Sequence, residues 1–307
     1  MRPTPRLLWL VNTEKGFTVL KDLASKARDS LGLVSSYSDP NVKEDFGSQI
    51  AAFCRVHQID HVLWSSLRTN PGEWLQRHKI SGIVAIGWQY LIAHNVWSAL
   101  PHKLIIFHDS LLPRYRGFAP LATGLIKGET EFGVSVIYAG QGTDDGPIIL
   151  QESVHLGEDV YIQEAITAMS RLYGTAALRL IDRLVSGPVA ARPQDESKAT
   201  YSLWRGADDC VVDWKCSARQ IYNLVRAVGP PYPGAFSQLD GKRVYIWRSE
   251  PLDQDLEFEI RDAGKIWKIE KGRPTVVCGR GMLRLTELTD ADGTSLLPVT
   301  RMRVRFG

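Results

Sequence analysis

The sequence predicts an α/β protein with a doubly wound, mostly parallel, Rossmann-like sheet, followed by a small OB-like β barrel. Three observations predict this fold class. Up to residue 189, short apolar runs alternate with amphipathic stretches, as in β-α-β units. Two of these runs, residues 83–86 and 103–107, are apolar enough for strands buried on both faces. Beyond residue 203, short strand-like segments are separated by glycine-containing turns.

Hydrophobic periodicity assigns the elements of the first part in order. The predicted strands are residues 7–11, 61–64, 83–86, 103–107 and 133–138. The predicted helices are residues 16–31, 46–57, 120–126 and 159–185, and a further helix ends at residue 78. The polar stretch that follows contains Pro193, so we expect residues 190–202 to be a linker between domains at residues 1–189 and 203–307.

The second part begins with a short predicted helix at residues 221–228. A rigid, proline-rich turn follows at residues 229–234. The predicted strands after it are residues 243–247, 266–270, 275–278 and 282–288. Short strands joined by glycine-containing turns favour a small barrel.

Composition narrows the class of protein. Of 307 residues, 44% are hydrophobic and 23% are charged, which argues against disorder, and a net charge of +3 is too small to imply nucleic-acid binding. No run approaches the roughly 20 apolar residues of a membrane span. The first apolar run is too short for a signal peptide, so we expect a soluble, cytoplasmic protein. The four cysteines lack CxxC spacing, so we expect no metal site.

Ligands of such a sheet bind at the carboxyl ends of its strands, and polar side chains fall there. His108 could take a proton from an attacking amine, or polarise a carbonyl oxygen once protonated; a strand-end histidine bonded to a nearby carbonyl is the alternative. A carboxylate of Asp144 or Asp145 could assist His108, although an Asp-Gly turn is the alternative.

Further segments at these strand ends could bind a substrate. Residues 87–92 could form a loop that holds a flat ring, or they could be a plain connection with a core tryptophan. These residues are Gly87, Trp88, Gln89, Tyr90, Leu91 and Ile92. Asn12 and Thr13 precede a predicted helix, whose N-terminus attracts anions, or they only cap it. Arg116, together with Arg114, could hold a phosphate or carboxylate, or both could be solvated.

The segment around His108 resembles the signature of the formyltetrahydrofolate-dependent formyltransferases, Asn-x-His-x-Ser-Leu-Leu-Pro. Here it runs Ile106-Phe107-His108-Asp109-Ser110-Leu111-Leu112-Pro113. Asp144-Asp145-Gly146 resembles the Asp-x-Gly of the same family, in which the aspartate stands two places before the glycine. Other strings similar to the family are residues 115–120, 128–134, 199–201, 213–214, 223–227 and 231–236. The resemblance spans about residues 7 to 290.

This resemblance implies transfer of the formyl group of 10-formyltetrahydrofolate to a primary amine without a metal. It implies that His108 and Asp144 manage the protons, while the loop at residues 87–92, with Asp144, holds the folate. Residues 37–40 and 46–48 look more like the amino-sugar members than the tRNA members. We therefore expect an amino sugar carried on a nucleotide, bound by Asn12, Thr13 and Arg116, and no nucleic acid. The barrel would complete the cleft or mediate self-association, as in a homodimer.

The chain departs from the family pattern on both sides of His108. Ile106 replaces an asparagine that would donate a hydrogen bond to the formyl oxygen, and losing such a donor typically costs roughly 100- to 1000-fold in rate. Asp109 replaces a small residue or proline, so we expect it to be a replacement proton carrier or amine anchor. Two alternatives stay open: formylation of methionyl-tRNA, and binding of folate or a sugar nucleotide without turnover.

Overall fold

The computed structural model describes residues 4–38, 45–187, 189–252 and 255–307, so Asp39 and Pro40 of the amino-sugar-like string lie outside it. The chain divides into two compact units. The first unit comprises Met1–Pro120, Glu131–His155 and Ile166–Ser202. The second unit comprises Leu121–Thr130, Leu156–Ala165 and Leu203–Gly307.

The first unit is built on a seven-stranded sheet. The strands of the unit are β1 Leu7–Val11, β2 Leu31–Ser36, β3 His61–Leu63, β4 Gly82–Ile86, β5 Leu104–His108, β6 Arg116–Gly117, β7 Glu131–Tyr138, β8 Ile148–His155 and β9 Tyr201–Ser202. β6 and β9 lie outside the seven-stranded sheet and pair with each other. The order in the sheet is β3-β2-β1-β4-β5-β7-β8. The first five of these strands are parallel, and β7 and β8 are antiparallel, so the predicted mostly parallel α/β sheet is confirmed.

Helices lie between these strands along the chain, and short 3-10 turns lie between or after them. The helices are α1 Thr13–Lys26, α2 Phe46–Val56, α3 Trp64–Leu67, α4 Pro71–Arg77, α5 His94–Trp97, α6 Pro120–Lys127 and α7 Ile162–Ser186, and 3-10 turns cover Arg28–Ser30, Glu196–Lys198 and Ala207–Cys210. Val19, Leu20 and Leu23 bury one face of α1, as helical spacing requires. The helix predicted at residues 16–31 was wrong at both ends, because α1 begins earlier and stops at Lys26, where β2 soon follows.

The strand register brings three strand ends to one edge of the sheet. Val11 pairs with Ile86, and Ile86 pairs with Phe107, so β1, β4 and β5 end level with one another. The next residues along the chain, Asn12 and Gly87, and the last residue of β5, His108, therefore lie at the same carboxyl edge.

Besides most of α6 and the start of α7, the second unit contains a further helix and a five-stranded antiparallel sheet from residue 203 onward. These elements are α8 Ala218–Val228, β10 Ala235–Leu239, β11 Lys242–Leu252, β12 Ile266–Glu270, β13 Arg273–Val277 and β14 Met282–Asp290. The order is β10-β11-β14-β13-β12. The last residues of the chain bridge both edges, because Phe306 pairs with Leu239 and Arg305 pairs with Lys265. This closure gives the small sheet the barrel-like form that the turn pattern predicts.

Within the described ranges of both units, none of the helices has the length and apolar character needed to cross a membrane.

Candidate active site

His108 is the last residue of β5, and its side chain is buried. Its Nε2 atom lies 2.8 Å from the backbone oxygen of Tyr115. A carbonyl oxygen can only accept, so Nε2 carries a hydrogen and donates it there. Its Nδ1 atom lies 3.4 Å from Oδ2 of Asp144. Because Nε2 is occupied, Nδ1 is the nitrogen that can gain or lose a proton during a reaction.

Asp144 lies in the loop between β7 and β8 with a φ angle of 51°. This left-handed conformation costs a residue with a side chain about 1–2 kcal/mol. The amide of Gly117 donates to Asp144 Oδ2 at 2.9 Å, so the oxygen that faces His108 also holds the loop after the histidine. Strained backbone of this kind is often found at functional sites, where surrounding contacts hold it.

Gln194 supplies contacts that hold this loop. Its Nε2 donates to the backbone oxygens of Asp144, at 2.7 Å, and of Gly146, at 2.8 Å. Its Oε1 accepts from Arg116 Nε at 3.1 Å and Nη2 at 2.9 Å. Gln194 belongs to residues 190–202, which we expected to be a linker, yet in the structure these residues form part of the first unit.

The Arg116 side chain lies beneath the site and is 1% exposed. Nη1 and Nη2 make a bidentate ion pair with the Glu196 carboxylate, at 2.8 and 2.6 Å. The hydrogen bond to Glu196 is the largest cause of a raised pKa for Arg116. The guanidinium is therefore bound by groups of the protein and is not exposed. Its binding of a substrate anion remains a prediction.

The loop after His108 is fastened to β7 and β8. The Ser135 hydroxyl donates to the backbone oxygen of Ser110 at 2.6 Å and accepts from the amide of Leu112 at 2.9 Å. Gln151 Nε2 donates to Ser135 Oγ at 2.7 Å and to the oxygen of Leu112 at 3.0 Å. Ser135 also pairs directly with His108 across β5 and β7. These bonds fix the backbone that carries the histidine.

Asp109 is bound by side chains of α1 and α7. Lys15 forms an ion pair with it, and the hydroxyl of Tyr173 donates to it at 2.5 Å. Burial alone would raise the pKa of Asp109, but the charge and hydrogen bond of Lys15, the hydrogen bond of Tyr173 and the charge of His108 together lower it. Burial, followed by the charge of Asp109, raises the pKa of Tyr173 well above its usual value. Asp109 is therefore a fixed negative charge beside His108.

Ile106 has different surroundings from Asp109. It is partly buried and packs against Leu112, Ile137 and Ile148. The two residues that depart from the family pattern thus contact different groups, and replacement of the missing asparagine by Asp109 remains a prediction. Asp145 accepts the amide of Gly142 at 2.9 Å through Oδ2, so it shapes its own loop.

The loop that follows β4 lies against the loop that follows β1. Gly87 has a φ of 59°, and a Cβ atom there would lie 2.6 Å from Thr13 Oγ1 and 2.9 Å from the oxygen of Asn12. Only glycine fits this close approach. Asn12 is buried at the start of α1, where its Oδ1 has no hydrogen-bond partner among the described residues. Thr13 is exposed beside it.

Trp88 is surrounded by other aromatic rings. Its ring centroid lies 5.1 Å from that of Tyr37, 5.2 Å from Trp64 and 6.0 Å from Tyr90. Its indole Nε1 is buried and lacks a hydrogen-bond partner in the described part of the chain. Beyond this cluster, Gln89 and Leu91 are exposed and Ile92 is half-buried. The loop therefore offers apolar ring surface around a buried indole donor.

The residues that sequence reasoning missed are Lys15, Tyr173, Ser135, Gln151 and Gln194. Each contacts either the backbone around His108 and Asp144 or the side chain of Asp109. Lys15 follows the predicted binding residue Thr13 by two positions, so its place near the sheet edge was the one available signal.

Two protein-family descriptions match the chain. The family described as "Formyl transferase" matches residues 17–181, and that described as "Formyl transferase, C-terminal domain" matches residues 206–299. A methionyl-tRNA formyltransferase of Geobacter metallireducens is 33% identical over 206 residues, which cover 67% of this chain and 64% of that protein. The match thus spans less than two thirds of that relative.

Two solved structures share the fold. WlaRD, a sugar 3N-formyl transferase crystallised with dTDP and 5-N-formyl-THF, superposes with a TM-score of 0.67 at 14% identity, covering 96% of this chain and 98% of the other. An N-formyltransferase of Helicobacter canadensis, in complex with folinic acid and dTDP-3-aminofucose, has a TM-score of 0.68 at 13% identity, covering 92% and 99%. The extent of the family match, over more than half of the sequence, places this chain in the formyl transferase family.

Proposed function

We propose that this protein transfers the formyl group of 10-formyltetrahydrofolate to a primary amine of an amino sugar carried on a nucleotide. The observation that carries the proposal is the pairing of His108 with Asp144. One imidazole nitrogen is engaged by a backbone oxygen, and the other faces a carboxylate at 3.4 Å. A histidine held in this way can serve as a proton acceptor in amide formation.

In the proposed reaction, the neutral amine attacks the formyl carbon and loses a proton. His108 Nδ1 accepts that proton, and the Asp144 carboxylate stabilises the resulting imidazolium. The new carbon–nitrogen bond forms as the bond between the formyl carbon and the folate nitrogen breaks, and the proton passes to the departing nitrogen. The formyl donor supplies the activated carbon. Asp109, held ionised by Lys15, adds negative charge near the imidazolium.

The loop after β4 fits the folate donor. A pterin ring is flat and carries hydrogen-bond acceptors, and this loop presents aromatic side chains around Trp88, whose buried indole N–H has no partner among the described residues. Gly87 allows this loop to pack directly against Asn12 and Thr13, which brings the two loops to one place at the sheet edge. Asn12 Oδ1, buried at the same sheet edge, could accept a bond from an amino group. These residues would hold the donor or the acceptor amine.

The charges of the second unit favour a small acceptor over tRNA. Binding of RNA normally needs clustered, unpaired Lys and Arg residues. Here Lys268 pairs with Glu270 at 2.9 Å, and Arg284 pairs with the same carboxylate at 2.8 Å. Lys265 pairs with Asp262. The sequence mixes basic and acidic residues in the same region. The other basic residues are Lys271, Arg273 and Arg280, and acidic residues there include Glu257 and Glu259.

Methionyl-tRNA is the second candidate acceptor, because the curated relative of Geobacter metallireducens bears that name. The test compares initial rates with 10-formyltetrahydrofolate and either initiator methionyl-tRNA or a panel of 3- and 4-amino-deoxy sugar nucleotides, with product detected by the gain of a formyl group in mass spectrometry. We expect formylation of at least one sugar nucleotide. Formylation of the tRNA and of none of the sugars would overturn the proposal, and the absence of any product would favour binding without turnover.

A further inference from the structure

We infer that Gln194 is a positioning residue for the reaction: its side-chain amide holds the backbone of Asp144 so that the carboxylate faces His108. The kinetic part of this inference rests on the proposed function. The structural part does not, because it concerns contacts within the first unit alone.

The conformation of Asp144 requires such support. Its φ of 51° lies in the left-handed region, which aspartate enters more often than most residues but still at a cost in energy, and the loop returns to β8 within a few residues. Two carbonyl oxygens of this loop, those of Asp144 and Gly146, converge on the same amide nitrogen, at 2.7 and 2.8 Å. Both hydrogens of the Gln194 amide are thus used to hold the loop.

The orientation of the Gln194 amide follows from its other partner. Arg116 has only N–H donors, so the atom that faces it at 2.9 and 3.1 Å must be the amide oxygen. The amide nitrogen then has to face the two carbonyl oxygens. Arg116 is itself fixed by the bidentate pair with Glu196, so the amide has one arrangement that satisfies every neighbour.

The same segment also reaches Asp144 from its carboxylate side. The amide of Arg116 donates to the backbone oxygen of Thr200 at 2.8 Å, and β6 pairs with β9. Gly117, the next residue of β6, donates to Asp144 Oδ2 at 2.9 Å. Gln194 and the backbone of Thr200 therefore support Asp144 from both its backbone and its carboxylate side, although both residues are distant from it in sequence.

The sharpest test is Gln194→Glu, which keeps the size of the side chain and the acceptor for Arg116 but removes the donors to Asp144 and Gly146. We expect kcat to fall about 10- to 100-fold, because small misplacement of a catalytic group has effects of this size. The KM values should change little. Protonation restores one donor to the new carboxyl, so the ratio of variant to wild-type kcat should rise as the pH is lowered from 8 to 5.

The second readout needs no substrate. Hydrogen exchange at the Gly117 amide reports the bond to Asp144, and we expect it to quicken about 10-fold in Gln194→Glu and in Gln194→Met, a variant of similar length without donors. Lys198→Ala is the matched control, since Lys198 is exposed in the same segment and pairs with Asp195. Its kcat and its Gly117 exchange should equal those of the wild type.

The kinetic and exchange measurements distinguish failure of the proposed function from failure of the inference about Gln194. A wild-type protein that formylates no amine would contradict the proposed function, while Gly117 exchange would still decide the role of Gln194. Wild-type Gly117 exchange in both Gln194 variants would overturn the inference, as would a wild-type kcat in Gln194→Glu. If Gln194→Glu does not fold, the exchange rate and kcat of Gln194→Met decide in the same way.

Discussion

The hydroxyl of Tyr173 donates to the carboxylate of Asp109 at 2.5 Å, beneath the strand end that carries the candidate catalytic histidine. Lys15 pairs with the same carboxylate from α1. A helix from each end of the first unit's sequence therefore contacts Asp109, and the contacts lower its pKa despite burial. The ionised Asp109 carboxylate therefore affects both the stability of the fold and the charge beside His108.

The first prediction follows from the lowered pKa of Asp109. The ionised carboxylate stabilises the folded protein above the pKa of about 3.9 that an unfolded aspartate has, and this contribution is lost as the pH falls through the lower folded value. Asp109→Asn should lower the free energy of unfolding by about 2 kcal/mol at pH 7. In urea titrations the difference should be constant from pH 8 to 5 and shrink below pH 4. A difference independent of pH would contradict this assignment.

The second prediction distinguishes the two neighbouring aspartates. Asp144→Asn retains an oxygen for the Gly117 amide but removes the charge that faces His108, so kcat should fall about 100-fold. Asp145→Asn retains an acceptor for Gly142 and should lower kcat less than about 10-fold. His108→Asn should match Asp144→Asn. The measurement is steady-state formylation by variants with wild-type circular dichroism spectra, and equal losses at both aspartates would refute the distinction.

The third prediction concerns the turn after β4. Gly87→Ala should lower the free energy of unfolding by about 2 kcal/mol, because the new methyl group meets the Asn12 backbone in a left-handed conformation. The KM for the formyl donor should also rise. Gly72→Ala is the matched control, since the added methyl has nothing within 4 Å and lies in α4, where alanine stabilises by about 0.5–1 kcal/mol. Urea unfolding of both variants should give opposite signs.

The fourth prediction tests the free indole of Trp88. Trp88→Phe removes packing volume but also a buried donor without a partner in the described residues, so the free energy of unfolding should fall by about 1 kcal/mol less than in Trp97→Phe. The Kd of the folate should increase about 10-fold, as expected for one lost hydrogen bond. Trp97→Phe provides the contrast, because its indole donates to the oxygen of Ile92 at 3.2 Å. It should lose stability, and a similar loss in Trp88→Phe would argue against a ligand-facing indole.

The strands β1 and β4 show which strands a sequence pattern can predict. β1 and β4 are buried throughout, and apolar residues run along their whole length. β2 was missed because it begins directly after the short 3-10 turn at Arg28–Ser30, so helical periodicity ran on into it. β8 was missed because it is an edge strand whose second half is polar and partly exposed. Burial by neighbouring strands, which no local pattern records, decides such cases.

The residues of the candidate site also fall into those that the sequence could predict and those that it could not. His108 ends β5 at the carboxyl edge of the sheet, where ligands of such folds bind, so its place could be expected from the sheet architecture. β7 is antiparallel to β5, with Tyr138 opposite Ile105, so only the family resemblance indicated that Asp144 would lie near His108. Gln194 lies 50 residues from Asp144, in a polar stretch whose proline is typical of a linker, and its partners are backbone oxygens. Since every residue has a backbone oxygen, sequence carries no signal for such a bond. The hydrogen bonds of Arg116 were hidden for a different reason: an arginine beside a catalytic motif is equally suited to a bound anion and to a carboxylate of the protein.

The contact of Arg116 with Gln194 and Glu196 also bears on how the sequence can change over time. Loss of the guanidinium would remove both donors from the half-buried Gln194 oxygen, and loss of the Gln194 amide would leave two carbonyl oxygens without their donor. We therefore expect joint replacement of these residues to be tolerated better than a single exchange. In related sequences these three positions should covary, and a lineage that has abandoned the reaction should lose all three together while its strands persist.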